Sequence, residues 1–395
     1  AGLRALGREV EVLEVGGRWP AADPTGRADL ARRLRELPDG ATVVLDGLVG
    51  GAVPDLLERE AARLRLVALV HHPLCDEEGA GTPGGAELEA LEGRTLRLAR
   101  GVIVTSEFTR GRVVEMGAAP ARVRVVEPGT APPAGSGGCT SPRAGTSPGA
   151  GATPGAGVGI SSRVPDDGAP TTRLDMGPPV LLCVGSVVSR KGQLDLVEAL
   201  GTLEDLEWRC RLVGSTERDA EYAARVAAAI DASPVNARIE LCGEIDEAAL
   251  ERAWGEADLF VLPSRYEGYG MAFTEALSRG LPVVGTTGGA IPFTVPPGVG
   301  ALVHPGDVDG LAGVLRAILT DPERRGVMAE RSRAHAAALP DWSTQTGRFA
   351  AALDELTATQ APAPRSGKSP EDTSTPDRHD RFSSDWLALR EPADH

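Results

Sequence analysis

The chain has 395 residues, 42% of them apolar and 25% charged, which is the balance of a soluble globular protein long enough for two domains. Its net charge of −15 argues against nucleic acid as a partner and against a polybasic grip on anionic lipid. No run of 18 apolar residues and no charged-then-apolar leader pattern is present, so we expect no transmembrane segment and a cytoplasmic location. Cys75, Cys139, Cys183, Cys210 and Cys242 have no C-x-x-C spacing, and three lie in apolar strand-like runs; neither a disulfide framework nor a metal site is expected.

Taken in order, the chain opens with a short helix over 2–7 and a strand over 9–15. A strand before these is expected and is not in the sequence. Residues 29–37 read as an amphipathic helix, 41–45 as a buried strand, 54–62 as a helix and 64–70 as a strand that delivers His71 and His72 at its carboxyl end. A helix over 86–99 and a strand over 102–105 follow, then Ser106 capping a helix through Met116, with Glu107 in its first turn, and a strand over 123–126. Strands alternating with helices predict βαβ units and a parallel sheet.

Residues 131–177 change to Gly, Pro, Ser and Thr, as in Thr146-Ser-Pro-Gly-Ala-Gly-Ala-Thr-Pro154, and cannot bury enough apolar surface to offset their chain entropy. We read a linker or insertion there, between a first domain over 1–130 and a second over 178–340. The second series has strands at 180–184, 208–213, 238–241, 258–263 and 282–284, with helices at 193–200, 219–230, 247–256, after Gly270, and at 307–319. Helices over 323–339 and 342–356 close it, the latter within a closing element over 341–356, and 357–395 reads as a disordered tail.

Two stretches carry the chemistry. In Ser264-Arg-Tyr-Glu-Gly-Tyr-Gly-Met-Ala-Phe-Thr-Glu275, the turn Gly268-Tyr269-Gly270 lies between a strand's carboxyl end and a helix whose apolar stripe is Phe273, Ala276, Leu277 and Gly280. A helix start at that crevice favours an anion or a hydroxyl-rich ligand, and Glu267 and Glu275 flank it. Gly185-Ser186-Val-Val-Ser-Arg190-Lys191-Gly192 is a strand-to-helix loop with two cations able to meet a diphosphate; its bland alternative is a solvated loop pair. For Glu275 the alternative is a solvated helix glutamate, and for Gly288-Gly289 a simple turn.

These residues, with Gly280-Leu-Pro-Val-Val284 and Gly288-Gly289-Ala-Ile-Pro292, resemble in order and spacing the donor-binding domain of family 4 glycosyltransferases. The resemblance covers roughly 180–320; the first half matches through His72, Val104-Thr-Ser-Glu107, Gly117 and 123–129. It implies an α/β, GT-B architecture of two Rossmann-like domains facing a cleft, and retaining sugar transfer from a nucleoside-diphosphate sugar to an unidentified hydroxyl acceptor, with no cofactor and no metal. It further implies catalytic roles for His72, Glu267, Lys191 and Arg190. Donor contacts are implied at Gly185, Ser186, Arg190, Lys191, Gly268, Tyr269, Gly270, Met271, Glu275, Gly288 and Gly289. Glu275 would accept from the ribose hydroxyls, and the leaving phosphate would help take the acceptor's proton, so Glu267 is not read as a nucleophile. The family usually has arginine where this chain has Ser186, which leaves that cation's share to Arg190. A sugar-nucleotide-binding protein that does not catalyse, or an inactive fragment, is the alternative.

Overall fold

A computed structural model describes residues 1–17, 19–20, 23–78, 83–131 and 177–358. Apart from their edge residues, the expected linker and tail lie outside these, as does Cys139. The first half forms a four-stranded parallel sheet in the order β1 (Thr42–Asp46), β2 (Arg65–Val70), β3 (Gly101–Val104), β4 (Val123–Val125). The second half forms a six-stranded parallel sheet of β5 (Val180–Val184), β6 (Arg209–Val213), β7 (Ile239–Gly243), β8 (Leu259–Val261), β9 (Val283–Thr286) and β10 (Gly300–Val303). Its spatial order is β10-β9-β8-β5-β6-β7.

That order places the direction change between β5 and β8. The loops leaving these adjacent strands diverge to opposite faces of the sheet and open a crevice, the ligand position of doubly wound folds. Both faces are covered by helices, which is why the central strands β5 and β8 are continuous apolar runs. Leu181, Leu182, Phe260, Val261, Val283 and Val284 are wholly buried, and each side chain of this size contributes about 1.5–3 kcal/mol by leaving water. Phe260 packs between Trp254, tilted at 35°, and Phe273, edge-on at 88°, with ring centroids 5.4 Å apart in both pairs. Phe273 thereby anchors the helix Met271–Ser278 that carries Glu275.

Most expected elements are present within a residue or two. One is not: Glu9–Val15 forms no strand. A strand requires a neighbour's N–H and C=O groups, and here a cavity of about 890 Å³, lined by Val10, Val12, Val43 and Leu45 among others, separates the segment from β1. The carbonyl of Val10 instead accepts from the Arg4 guanidinium at 2.7 Å. Among the elements not anticipated are β10, the short helices Gly47–Gly50 and Ile291–Thr294, and a one-turn helix Leu74–Glu78 directly after β2. The helix start is held by Glu92, 5% exposed, whose carboxylate accepts from the amides of Leu74 at 2.8 Å and Cys75 at 3.0 Å.

The last helix, Trp342–Thr357, returns to the first sheet. Its Ala352, Leu353 and Leu356 pack on Val67 and Ile103, and Asp354 and Glu355 pair with Arg8 and Arg124. Among the described residues no helix is long and apolar enough to cross a membrane.

Candidate active site

The loop after β5 brings Arg190 and Lys191 to the crevice on a single 3-10 turn. The loop after β8 brings Glu267. Lys191 Nζ donates to Glu267 Oε1 at 2.6 Å, Ser264 Oγ donates to the same oxygen at 2.6 Å, and Arg190 stands 3.5 Å from the other oxygen. Glu267 is only 7% exposed, so this carboxylate is fully engaged as an anchor for the lysine. Further ties join these segments: Arg265 N–H donates to the Arg190 carbonyl at 2.7 Å, the Arg190 guanidinium donates to the Tyr266 carbonyl at 3.4 Å, and the Arg265 guanidinium spans both oxygens of Asp195, in the helix that follows, at 3.0 Å. Ser186 lies in the same loop, where its carbonyl accepts from Gln193, and Gly185 is held by its N–H to Val213.

Gly270, at φ +91, breaks the chain sharply into helix Met271–Ser278. One turn in, Glu275 is half-buried. Burial pushes its carboxyl above the usual glutamate range, Glu251 adds to the shift, and Arg279 opposes it. Among the described residues no hydrogen bond to its carboxylate is seen, so both oxygens remain available as acceptors. Gly288 and Gly289 run against the backbone of this same stretch: a Cβ on either would lie 2.3 Å from the carbonyl oxygen of Arg265 or Glu267 respectively. Their smallness is thus used by protein backbone, and Ala290 N–H secures the contact at Glu267 O. Met271 is exposed at the helix start, and Tyr269's carbonyl accepts from Thr294.

The first domain meets this stretch directly. Ser106 Oγ caps its own helix by accepting from Thr109 N–H at 3.0 Å and donates to the carbonyl of Gly268 at 2.7 Å. It is therefore both the expected cap and a tie between the domains. His72 faces the second domain, with its ring 6.0 Å from that of Tyr266, while His71 turns toward Asp46 at 3.4 Å. Tyr266 donates to Asp76 at 2.9 Å, and Asp76 also takes the guanidinium of Arg112. Asp76 and Glu77 were missed by sequence reasoning. The available signal was a pair of acidic residues immediately beyond a strand end that already carried a candidate histidine.

At Gly268 a Cβ would fall 2.2 Å from the His71 carbonyl oxygen and 2.7 Å from His72 Cβ. Neither is the tip of a flexible side chain, so Gly268→Ala must push the domains apart. A displacement of about 1 Å between reacting groups lowers turnover by about a hundredfold. We expect that loss in kcat/KM, with a circular dichroism spectrum like that of the native chain.

Comparison with known proteins agrees with this architecture. Residues 1–129 match the family described as glycosyl transferase 4-like domain, and residues 169–335 match glycosyl transferases group 1. The chain belongs to the family 4 glycosyltransferases. Among its relatives, a GDP-mannose-dependent monoacylated alpha-(1-6)-phosphatidylinositol monomannoside mannosyltransferase of Corynebacterium glutamicum is 31% identical over 180 residues, covering 43% of this chain and 46% of the relative. A glycogen synthase of Mycobacterium tuberculosis is 32% identical over 172 residues, 42% of this chain and 40% of its own. The match thus spans less than half the length of either relative. Sucrose-phosphate synthase from Thermosynechococcus elongatus superposes with a TM-score of 0.65 at 22% identity, over 85% of this chain and 78% of that one. Anabaena Alr3699/HepE in complex with UDP-glucose gives 0.61 at 18% identity, over 84% and 82%. The fold is GT-B.

Proposed function

We propose that this glycosyltransferase moves a hexose-like sugar from a nucleoside diphosphate to a hydroxyl acceptor with retention at the anomeric carbon, using no metal. The observation that carries this reading is the meeting of Lys191, Arg190 and Glu267 at the β5/β8 switch point, beside the helix start at Gly270–Met271. As the bond from the anomeric carbon to the phosphate oxygen breaks, charge grows on the leaving diphosphate. Lys191 and Arg190 are positioned to stabilise it in place of a divalent cation, and His72 adds a donor from the facing domain. The acceptor oxygen bonds to the anomeric carbon on the face the phosphate leaves, and its proton passes to a phosphate oxygen. Glu267, already bonded to Lys191 and Ser264, orients the lysine and the sugar; Glu275 takes the ribose hydroxyls.

The relatives' names support a nucleoside-diphosphate sugar, since one is GDP-mannose-dependent and one solved neighbour is titled as a UDP-glucose complex. We take 1–130 and 178–340 as the acceptor-side and donor domains. A cytoplasmic location suits the free thiols of Cys75, Cys183, Cys210 and Cys242. The direct test is incubation with UDP-, GDP- and ADP-hexoses and a simple alcohol acceptor, with the anomeric configuration of the product read by NMR. An α-linked donor is expected to give an α-linked product; inversion would overturn the retention, and binding without release of nucleoside diphosphate would favour the non-catalytic alternative.

The raised Glu275 carboxyl adds a pH prediction. Ribose binding needs the ionised form, so donor affinity is full at neutral pH and falls on acidification through a range above that of an ordinary glutamate. Glu275→Gln removes the titrating group, and titrations of the variant should lack this acid limb.

A further inference from the structure

Glu77 is a carboxylate at the cleft that the donor reading leaves without a role. Its Oε1 lies 2.9 Å from His72 Nε2 and 2.9 Å from Arg190 Nε, so one oxygen joins the histidine of the first domain to the arginine of the second. The His72 hydrogen bond, helped by the nearby charges of Arg190 and Lys191, holds the Glu77 carboxyl below the usual range although burial opposes it. It is therefore an anion at neutral pH. Its neighbours are committed elsewhere: Asp76 to Arg112 and Tyr266, and Glu267 to Lys191 and Ser264. Glu77 differs from both in exposure as well. Its side chain is 35% exposed on a one-turn helix, against 6% for Asp76 and 9% for Glu267, so it can turn out to solvent without leaving a buried charge behind.

A carboxylate bonded to the two groups that face a leaving diphosphate presents to them the same chemistry as a phosphate oxygen. We propose that Glu77 is an internal occupant of the donor's phosphate position: it holds Arg190 and His72 in the orientation that meets a diphosphate, and a nucleoside diphosphate takes both groups by displacing it. This rests on the donor reading above and deepens it. Binding then exchanges one anion for another at Arg190, which holds down affinity for the product and lets it leave readily. Glu77 is a positioning residue that sets the balance between donor capture and product release.

Glu77→Gln keeps the size and an acceptor oxygen and removes the charge. Calorimetric titration of UDP, GDP and ADP into the full native chain, Glu77→Gln, Arg190→Ala and the double variant tests the exchange. Glu77→Gln is expected to bind the diphosphate that the native chain prefers about tenfold more tightly, with the donor KM lowered and kcat lowered as product release slows. The gain should vanish in the Arg190→Ala background, and Glu77→Asp should restore near-native affinity. A side chain that merely supported the local fold would move these the other way, with weaker binding and a higher KM. Unchanged or weaker binding by Glu77→Gln, or an equal gain without Arg190, overturns the inference while leaving the donor site standing. A native chain that binds none of the three diphosphates overturns both.

Discussion

Lys191→Ala is expected to lower kcat/KM by about 10²–10³-fold, the loss seen when one preorganised donor to a developing negative charge is removed. Two effects act together. The substitution takes away one of the two cations assigned to the leaving diphosphate, and among the described residues it leaves Glu267, 7% exposed, with Ser264 and a more distant Arg190 as partners. A carboxylate stripped of its lysine in a buried crevice repels the phosphate that Lys191 had attracted. Steady-state kinetics on the variant should show a fall in kcat as well as a rise in donor KM, because the charge being stabilised is greatest in the transition state. A change in KM alone would assign Lys191 to uniform donor binding and leave transition-state stabilisation to Arg190 and His72.

Glu275→Ala is expected to act on binding rather than on the chemical step. Two hydrogen bonds from ribose hydroxyls to an ionised carboxylate contribute about 1.5–3 kcal/mol each, and half-exposure places the pair toward the lower end, so affinity should fall about a hundredfold. Stability is not expected to suffer. Burial raises the folded-state pKa of Glu275 above its unfolded value, so the carboxyl favours folding below the unfolded pKa and its ionised form costs stability at neutral pH. The neutral Glu275→Gln should melt no lower than the native chain while binding donor less well. Thermal melts and nucleotide titrations on the same samples separate the two quantities.

The donor half was largely legible because each signal there is local. The run Asp258–Pro263 declares a buried strand, Gly270 at φ +91 must be a turn, and the apolar stripe from Phe273 to Gly280 fixes which way Glu275 points. What the sequence does not display is pairing between distant segments. Glu9–Val12 alternates as a strand should, yet a strand exists only with a partner, and β1 lies beyond a cavity from it. The short helix Leu74–Glu78 has too few residues to show a period, and its start is held by Glu92, a long way along the chain. Asp76 and Glu77 acquire meaning only when the second domain brings Tyr266 and Arg190 to them. Gly268 read correctly as a turn glycine, but the close approach that requires it comes from His71 of the other domain.

In the proposed function the β5/β8 crevice holds a nucleoside-diphosphate sugar through Lys191, Arg190 and Glu275. This is tested most directly by calorimetric titration of UDP-, GDP- and ADP-hexoses into the native chain, Lys191→Ala and Glu275→Ala, with release of the nucleoside diphosphate followed in the same samples. Saturable binding and turnover of one donor are expected of the native chain, with at least about a hundredfold loss of kcat/KM in Lys191→Ala and about a hundredfold loss of donor affinity in Glu275→Ala. Binding of equal strength in all three proteins would contradict the proposed function.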